Sequence, residues 1–383
     1  MSDKRNIQIA LPVTGEEEWQ AVKEPLLSGW ITQGPKVAEF EKQFAIRHKV
    51  EHAFAVTSCT TGLHLSLAAL GIGVGDEVIV PAFTWVATAN VILYCGATPV
   101  FVDVSRDTFN MDPEKVKEKL TDNTKAIIPV HLFGLCADID AIKAVIPEYV
   151  KIIEDAACAA GAEYKGLPAG SLGDVASFSF HPRKSITTGE GGMVTTNDGD
   201  LARKIEQMRN HGATVSEEQR HHGPKPYILP DFNLLGYNYR MTDLQGAVGI
   251  VQLSKLDKFI DERAKWAAWY QEELAGIDWL QLPREPANGR HGWQSFVTYV
   301  DPIKAPMPRN ELMEYLQGEG ISTRPGTHAV HMLSLYQERF SLKPDNYPAA
   351  RDCDAHSMAI PLHNRMIEDD YQYIVDVLKN IKF

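Results

Sequence analysis

The sequence predicts an α/β fold with a mostly parallel central sheet, helices on both faces of that sheet, and a smaller α/β domain at the C-terminal end. Two observations carry the prediction. Strand-sized apolar runs alternate with helix-sized segments up to residue 196, as in sheets whose strands are joined by crossover helices. The chain has 383 residues, enough for two domains. We predict a large domain at residues 1–255 and a small domain at 256–383.

The individual elements follow from the spacing of apolar residues. Val37, Phe40 and Phe44 recur three and four residues apart and predict an amphipathic helix over 36–48. Further helices are predicted at 63–70 and 86–94. Short apolar runs predict strands at 53–56, 77–80, 98–102, 126–130, 151–154, 175–180 and 193–196. Because ligands of parallel sheets bind beyond the carboxyl ends of the strands, we expect the polar residues that follow these strands to converge.

The second half of the chain contains a loop and a long helix. Residues 217–226 are polar, proline-containing and aperiodic, which predicts a loop that is either a lid over a site or an inert surface excursion. Thr242 and Gln245 have the spacing of a capping box. Apolar residues at helical spacing follow as far as Leu274. We expect this helix to form the bridge to the small domain.

Composition excludes several classes of protein. The net charge of −12 argues against a nucleic acid or an anionic membrane as a partner. The five cysteines are scattered and form no CxxC pair, and no HExxH or GxSxG motif occurs, so we expect neither a disulfide framework, nor a metal site, nor a serine hydrolase. Proline and glycine interrupt the apolar stretch 78–102, and no signal peptide is visible. We therefore expect a soluble cytoplasmic protein.

Lys184 and Asp155 carry the functional prediction. Asp155 ends the apolar run 150–154, and Lys184 follows the later strand predicted at 175–180. Alone, a loop lysine is usually a solvated surface residue, and an aspartate after a strand usually caps a helix. Together they are what pyridoxal 5'-phosphate (PLP) requires: an amine for a Schiff base and a carboxylate that keeps the pyridine nitrogen protonated. We expect the pKa of Lys184 to be lowered by burial beside a cationic cofactor, because proton transfer at neutral pH needs such an amine.

Other residues near strand ends fit the same cofactor. The turn at 58–62 leads from a strand into a helix, where free N–H groups favour a phosphate, and the hydroxyls of Thr60 and Ser179 are further donors. Trp85 has the flat face needed to stack on a pyridine ring, with core packing as the alternative. The glycines at 189–192 permit a tight return turn after Lys184. Asn238 is either a phosphate ligand or an ordinary turn residue.

At this point the chain resembles the DegT/DnrJ/StrS family of PLP-dependent sugar aminotransferases over nearly its whole length. The matching segments are GWITQG at 29–34, SCTTGL at 58–63, GDEVIVP at 75–81, EDAA at 154–157, SFHPRK at 179–184 and NYRM at 238–241. The resemblance implies the aspartate-aminotransferase fold (PLP fold type I) and a homodimer with active sites at the subunit interface. It also implies L-glutamate as amino donor and a nucleotide-linked keto sugar as acceptor.

The resemblance also implies roles for individual residues. The Schiff-base lysine is Lys184 and the partner of the pyridine nitrogen is Asp155. The remaining cofactor-binding residues are Trp85 on the ring, Cys59, Thr60 and Ser179 on the phosphate, and Asn238 on the phosphate of the neighbouring subunit's cofactor. The family often has His or Gln near the phenolic oxygen, where this chain has Cys158, and a thiol is a poor hydrogen-bond partner. The candidates for substrate contacts are Trp30, Thr32, His181, His328 and His331.

These expectations define one main function and two alternatives. The main one is amination of a nucleotide-linked keto sugar, with a 4-keto-6-deoxy hexose as the expected substrate, through PLP and its pyridoxamine 5'-phosphate form in amino-sugar and polysaccharide biosynthesis. Lys184 argues against the dehydratase branch of the family, in which histidine replaces the lysine. The alternatives are transamination of another cyclic ketone, and a non-catalytic regulatory protein that binds PLP.

Overall fold

The computed structural model of the protein describes residues 5–215, 227 and 229–381, so the loop predicted at 217–226 lies outside the described residues. The α-helices are α1 (Glu16–Ser28), α2 (Pro35–His48), α3 (Cys59–Ala69), α4 (Ala87–Tyr94), α5 (Pro113–Lys117), α6 (Ile139–Val145), α7 (Gly199–Arg209), α8 (Asp243–Glu273), α9 (Arg309–Gly318), α10 (Ser334–Phe340), α11 (Pro348–His356) and α12 (Glu368–Lys379). In the described part of the chain, no helix combines the length and the apolar character needed to cross a bilayer.

The strands belong to one large sheet and several smaller ones. They are β1 (His52–Val56), β2 (Glu77–Pro81), β3 (Phe83–Thr84), β4 (Thr98–Val102), β5 (Thr124–Ile127), β6 (Lys151–Asp155), β7 (Glu163–Tyr164), β8 (Leu167–Pro168), β9 (Val175–Ser179), β10 (Gly192–Thr196), β11 (Leu280–Gln281), β12 (Gly289–Arg290), β13 (Phe296–Val300), β14 (Arg324–Pro325), β15 (His328–Ala329) and β16 (Ser357–Ile360).

The seven-stranded central sheet has the order β1-β10-β9-β6-β5-β2-β4. Strands β9, β6, β5, β2 and β4 run parallel to one another, whereas β10 is antiparallel to both of its neighbours. The prediction of a mostly parallel α/β sheet is therefore confirmed. The predicted glycine turn is confirmed as well, because it returns the chain so that Gly192 pairs with Ser179.

Several predicted boundaries were wrong for local reasons. Helix α1 was not predicted. Strand β5 ends at Ile127, not at residue 130, because the following residues leave the ladder and only Val130 forms a bridge, to Asp155. Helix α3 begins at Cys59, four residues before the predicted start. The reason is Ser58, whose hydroxyl accepts a 3.1 Å hydrogen bond from the N–H of Thr61 and so caps the helix.

Helices α2 and α8 pack closely because of one aspartate and one glycine. The carboxylate of Asp243, in the first turn of α8, accepts hydrogen bonds of 2.8–3.1 Å from the N–H groups of Gly34, Lys36 and Val37 at the start of α2. One turn later, a Cβ on Gly246 would lie 2.8 Å from the Val37 nitrogen. Glycine is therefore required there for the two backbones to approach.

The predicted long helix is confirmed as α8, which spans 31 residues and begins with the Thr242–Gln245 capping box. The part of it up to Ile260 packs Leu256 and Ile260 into a cluster with the central sheet. Its second half packs Trp266 and Tyr270 into a cluster with the four-stranded sheet β11-β13-β16-β14. The domain boundary at 255/256 stays a prediction, and the helix runs through it without a break.

Candidate active site

Asp155 ends the strand β6 at the carboxyl edge of the central sheet, and its carboxylate is held on both oxygens. The hydroxyl of Thr88 donates a 2.8 Å hydrogen bond to Oδ2, and the N–H of Ala157 donates a 3.1 Å hydrogen bond to Oδ1. The Cys59 sulfur lies 3.8 Å from Oδ1. Both Asp155 and Thr88 are buried. This carboxylate is therefore fixed in place before any ligand binds.

Lys184 lies at the same edge, in the loop that follows β9. The main-chain N–H of Lys184 donates to the carbonyl of His181 at 2.9 Å, which closes a turn. The half-buried side chain reaches back across the strand ends, where Nζ donates to the sulfur of Cys158 at 3.1 Å. Since Cys158 comes three residues after Asp155, the structure brings together the amine and the carboxylate on which the prediction rests.

In this structure the pKa of Lys184 is raised, and the lowering expected beside a cationic cofactor stays a prediction. Burial by itself lowers it, but the contact with the Cys158 sulfur and the nearby Asp155 carboxylate favour the ammonium form and outweigh that effect. Burial and the negative charge of Asp155 both raise the pKa of the Cys59 thiol, so Cys59 stays neutral.

The start of α3 supplies the features of an anion site. The first N–H groups of a helix have no acceptor within the helix, and Ser58 accepts only from Thr61, which leaves the N–H groups of Cys59 and Thr60. A Cβ on Gly192 would lie 2.7 Å from the Cys59 nitrogen, so this glycine allows β10 to support the turn. The Cys59 sulfur, at 3.3 Å from the carbonyl oxygen of Ser177, points into the protein. Cys59 would thus meet a phosphate through its backbone.

Trp85 and His328 lie together at the rim of this region. Strand β3 pairs with β15, so that Thr84 lies opposite His328, and the rings of Trp85 and His328 are 5.7 Å apart. Trp85 is 61% exposed, and the core-packing alternative for it is wrong. An exposed indole beside an imidazole forms an aromatic wall suited to a ring-shaped ligand.

The remaining predicted residues occupy different surroundings. Ser179 is half-buried at the end of β9, and His181 follows it and accepts from the N–H of Arg183. Trp30 and Thr32 belong to the segment at the start of α2, where Trp30 Nε1 donates to the carbonyl of Gln33 at 3.2 Å. Asn238 is exposed. His331 is buried and its Nε2 lies 3.1 Å from the carbonyl oxygen of Pro344, away from the aromatic wall.

Sequence reasoning missed two buried residues, one that holds the Asp155 carboxylate and one that precedes Asp155 in β6. One is Thr88. It follows Thr84 by four residues, the spacing of one helical turn, and that spacing was the available signal. The hydroxyls of the two threonines are 3.1 Å apart. The other is Glu154. Its buried carboxylate accepts from His131 Nε2 and from the N–H groups of residues 170, 172 and 173 at 2.7–2.8 Å. No sequence signal distinguishes this glutamate from a surface residue.

A cavity of about 1370 Å³ in the described residues is a different place. It is lined by Phe109, Phe133 and Leu280 together with several carboxylates, and it contains none of the predicted site residues. We assign the site from the convergence of Lys184 and Asp155, because chemistry and not volume defines it.

The residues present fit PLP. A fixed buried carboxylate suits a protonated pyridine nitrogen, the Lys184 amine is the group that links to an aldehyde, and the helix N-terminus at Cys59 suits a phosphate. These three groups meet at one sheet edge. The fold and the site together define the class of a PLP-dependent aminotransferase.

Comparison with known proteins gives the family. The sequence matches the DegT/DnrJ/EryC1/StrS aminotransferase family over residues 12–379. The spore coat polysaccharide biosynthesis protein SpsC of Bacillus subtilis is 40% identical, over 100% of this chain and 99% of that protein. GDP-perosamine synthase of Caulobacter vibrioides is also 40% identical, over 100% of both chains. The PLP form of the sugar aminotransferase Spr1654 from Streptococcus pneumoniae superposes with a TM-score of 0.89 at 30% identity, over 98% of each chain.

The protein is thus an enzyme that depends on PLP. It belongs to the DegT/DnrJ/EryC1/StrS aminotransferase family. The resemblance drawn from the sequence motifs is confirmed, and with it the predicted fold and cofactor.

Proposed function

We propose that the enzyme transfers an amino group from L-glutamate to a nucleotide-linked keto sugar, a 4-keto-6-deoxy hexose, in amino-sugar biosynthesis in the cytoplasm. The observation that carries the proposal is the Lys184 amine beside the fixed carboxylate of Asp155. Support for the sugar comes from GDP-perosamine synthase, which is 40% identical over the full length of both chains. The family match favours an enzyme over the alternative of a regulatory PLP-binding protein.

The chain's own residues have separable tasks in this reaction. The chemistry that PLP supplies when bound is an electron-withdrawing ring that stabilises negative charge on the substrate carbon. Asp155, held by Thr88 and by the Ala157 N–H, provides the fixed negative charge that such a ring nitrogen needs. Lys184 Nζ takes a proton from the donor carbon in the first half of the reaction and gives a proton to the acceptor carbon in the second half. The helix start at Cys59 holds the phosphate.

The rim residues are proposed to orient the sugar. Trp85 and His328 present an exposed aromatic pair at the end of β3 and β15. A flat aromatic face buries the apolar side of a hexose, and the imidazole offers a hydrogen bond to a hydroxyl or phosphate. His181, on the loop that carries Lys184, is placed to contact the same ligand. Trp30 and Thr32 remain candidates for contacts with the nucleotide part of the substrate.

We further propose a homodimer. The segment that contains Asn238 exposes apolar side chains: Phe232 is 58% and Leu235 is 83% exposed. Neighbouring Tyr239 is held against β1, where its carbonyl accepts from the N–H of Thr57 at 3.0 Å. An ordered segment that exposes large apolar groups is typical of an interface. Such an interface would let Asn238 reach the other subunit's cofactor.

Light scattering tests the dimer. Leu235→Asp is expected to shift the protein from dimer to monomer, because a desolvated carboxylate in an interface is costly. Ile303→Asp is the matched control, since Ile303 is 92% exposed on the small domain. A wild-type monomer, or an equal effect of both substitutions, would refute the proposal.

The function itself is tested by substrate. Purified enzyme with PLP and L-glutamate is incubated with a panel of nucleotide-linked 3-keto and 4-keto sugars, and with free cyclic ketones. Mass spectrometry is then used to look for replacement of the keto oxygen by an amino group. We expect an amino product from a nucleotide-linked 4-keto sugar and equimolar 2-oxoglutarate. Amination only of free cyclic ketones would favour the alternative substrate class, and no product from any ketone would overturn the proposed function.

A further inference from the structure

The strongest unassigned contact in the site joins the Lys184 amine to a thiol. Nζ of Lys184 lies 3.1 Å from the sulfur of Cys158, within the range of a direct N–H···S hydrogen bond. Both side chains are half-buried at the carboxyl edge of the sheet.

The surroundings distinguish Cys158 from the chain's other thiols. Cys59 is buried and turned toward Asp155 and the carbonyl of Ser177, and its raised pKa keeps it protonated. Cys95 is half-buried away from the site, and burial raises its pKa to about 11. Among the hydrogen bonds of the described residues, the one from Lys184 to Cys158 is the contact that brings an ammonium group to a cysteine sulfur.

We propose that Cys158 and Lys184 form a proton-sharing pair in which Cys158 is the positioning residue for the catalytic amine. The exchange is balanced within the pair: the Cys158 S–H bond breaks, the proton moves to Nζ, and a neutral thiol and amine become a thiolate and an ammonium ion. The reverse step frees the lone pair of Nζ. This inference rests on the proposed function, because it assigns a role at the same site.

The pair has two consequences for the reaction. The Cys158 sulfur, 3.1 Å away, orients the amine by one short contact and holds it at the strand ends near Asp155. It also keeps the proton on Nζ to a higher pH than burial alone would allow, in line with the raised Lys184 pKa. The amine can therefore take up a substrate proton only when the thiol regains its own.

Alkylation of the cofactor-free, full-length protein tests the pair without turnover. Iodoacetamide reacts with the thiolate, so the rate at each cysteine, followed by peptide mass spectrometry at pH 7, reports its ionised fraction. We expect Cys158 to be alkylated much faster than Cys95 in the wild type. Lys184→Met keeps the volume and removes the charge, and should slow alkylation of Cys158 by roughly tenfold, which is one pKa unit. The rate at Cys95 should not change.

An unchanged Cys158 rate in Lys184→Met, with circular dichroism showing a native fold, would overturn the pair. The outcome is independent of the proposed function, because the assay contains neither cofactor nor sugar.

A second arm uses the holoenzyme. Cys158→Ala removes the proton acceptor, so the pKa of the free Lys184 amine should fall and the acid limb of the kcat–pH profile should move to lower pH by about one unit. Cys158→Ser, whose hydroxyl does not ionise in this range, should give the same shift. A profile that matches the wild type in both variants would refute the assignment, even if kcat were reduced.

Discussion

Thr88 donates a 2.8 Å hydrogen bond to Oδ2 of Asp155, and both residues are buried. The pair joins the start of α4 to the end of β6, a strand in the middle of the central sheet. A carboxylate that must stay ionised in a buried position needs such donors, because burial alone favours its neutral form.

Thr88→Val is therefore expected to weaken cofactor binding. A hydrogen bond to a charged group contributes about 1.5–3 kcal/mol, so the PLP dissociation constant should rise by roughly tenfold or more. Spectral titration of the apoprotein with PLP measures it. Thr88→Ser restores the hydroxyl and should restore affinity. If Thr88→Val and the wild-type protein bound PLP with equal affinity, Thr88 would be only a packing residue.

Lys184→Ala should abolish turnover while leaving the phosphate and ring contacts intact. Loss of the proton-transferring amine is expected to reduce kcat by about 10³-fold or more. Stopped-flow and steady-state assays with glutamate measure the loss, and retained cofactor is checked by absorbance after gel filtration. Near-normal transamination by this variant would contradict the assignment of Lys184.

The sequence alone predicted the residues of the site whose chemistry is specific to their type. Lys184 and Asp155 were found because an amine and a carboxylate past successive strand ends suit one cofactor. Thr88 was missed because threonine is common in helices, and its role depends on a contact 67 residues away in sequence. The contact between Lys184 and Cys158 was not predicted, because no sequence pattern shows that these two side chains meet.

Gly246→Ala should destabilise the fold. The new Cβ would lie 2.8 Å from the Val37 nitrogen and 2.9 Å from the Lys36 carbonyl carbon, both backbone atoms that cannot rotate away. Overpacking of this kind costs about 1–3 kcal/mol. The helical Gly318 has no atom within 4 Å of an added Cβ, so Gly318→Ala should instead stabilise by about 0.4–1 kcal/mol. Urea unfolding of both variants measures whether the free energy of unfolding falls for Gly246→Ala and rises for Gly318→Ala.

Acid should destabilise the protein through buried histidines. Burial lowers the pKa of His48 and of His291 to about 3 from an unfolded value of 6.5. Between pH 3 and 6.5 the unfolded chain binds more protons than the folded protein. The contribution of these histidines to the free energy of unfolding is therefore complete above pH 6.5 and falls as the pH drops. Roughly 2 kcal/mol should be lost for each histidine between pH 7 and 5.

Urea unfolding at the two pH values measures that loss. His48→Gln removes one of the titrating groups and should lessen the measured loss by roughly 2 kcal/mol. A difference as large as that of the wild type would place the acid sensitivity elsewhere.

Elements with regular apolar spacing could be predicted from the sequence. Helix ends that are set by a capping side chain could not. Strand β4 agrees with its predicted bounds because apolar residues fill it and glycine and aspartate flank it. The start of α3 was placed too late because Ser58, which caps it, was grouped with the turn. Helix α1 escaped prediction because only Glu18 and Pro25 of its residues are buried, so it carries no apolar stripe.

Helix α8 has a consequence for how the chain can be divided. At 1.5 Å per residue its 31 residues form a rod of about 46 Å, and it supplies side chains to the cores at both of its ends. A gene truncated at residue 255 would encode a fragment that lacks Leu256, Phe259 and Ile260. Expressed by itself, that fragment would leave the hydrophobic surface beneath them open to water, and it should aggregate unless the missing piece is co-produced.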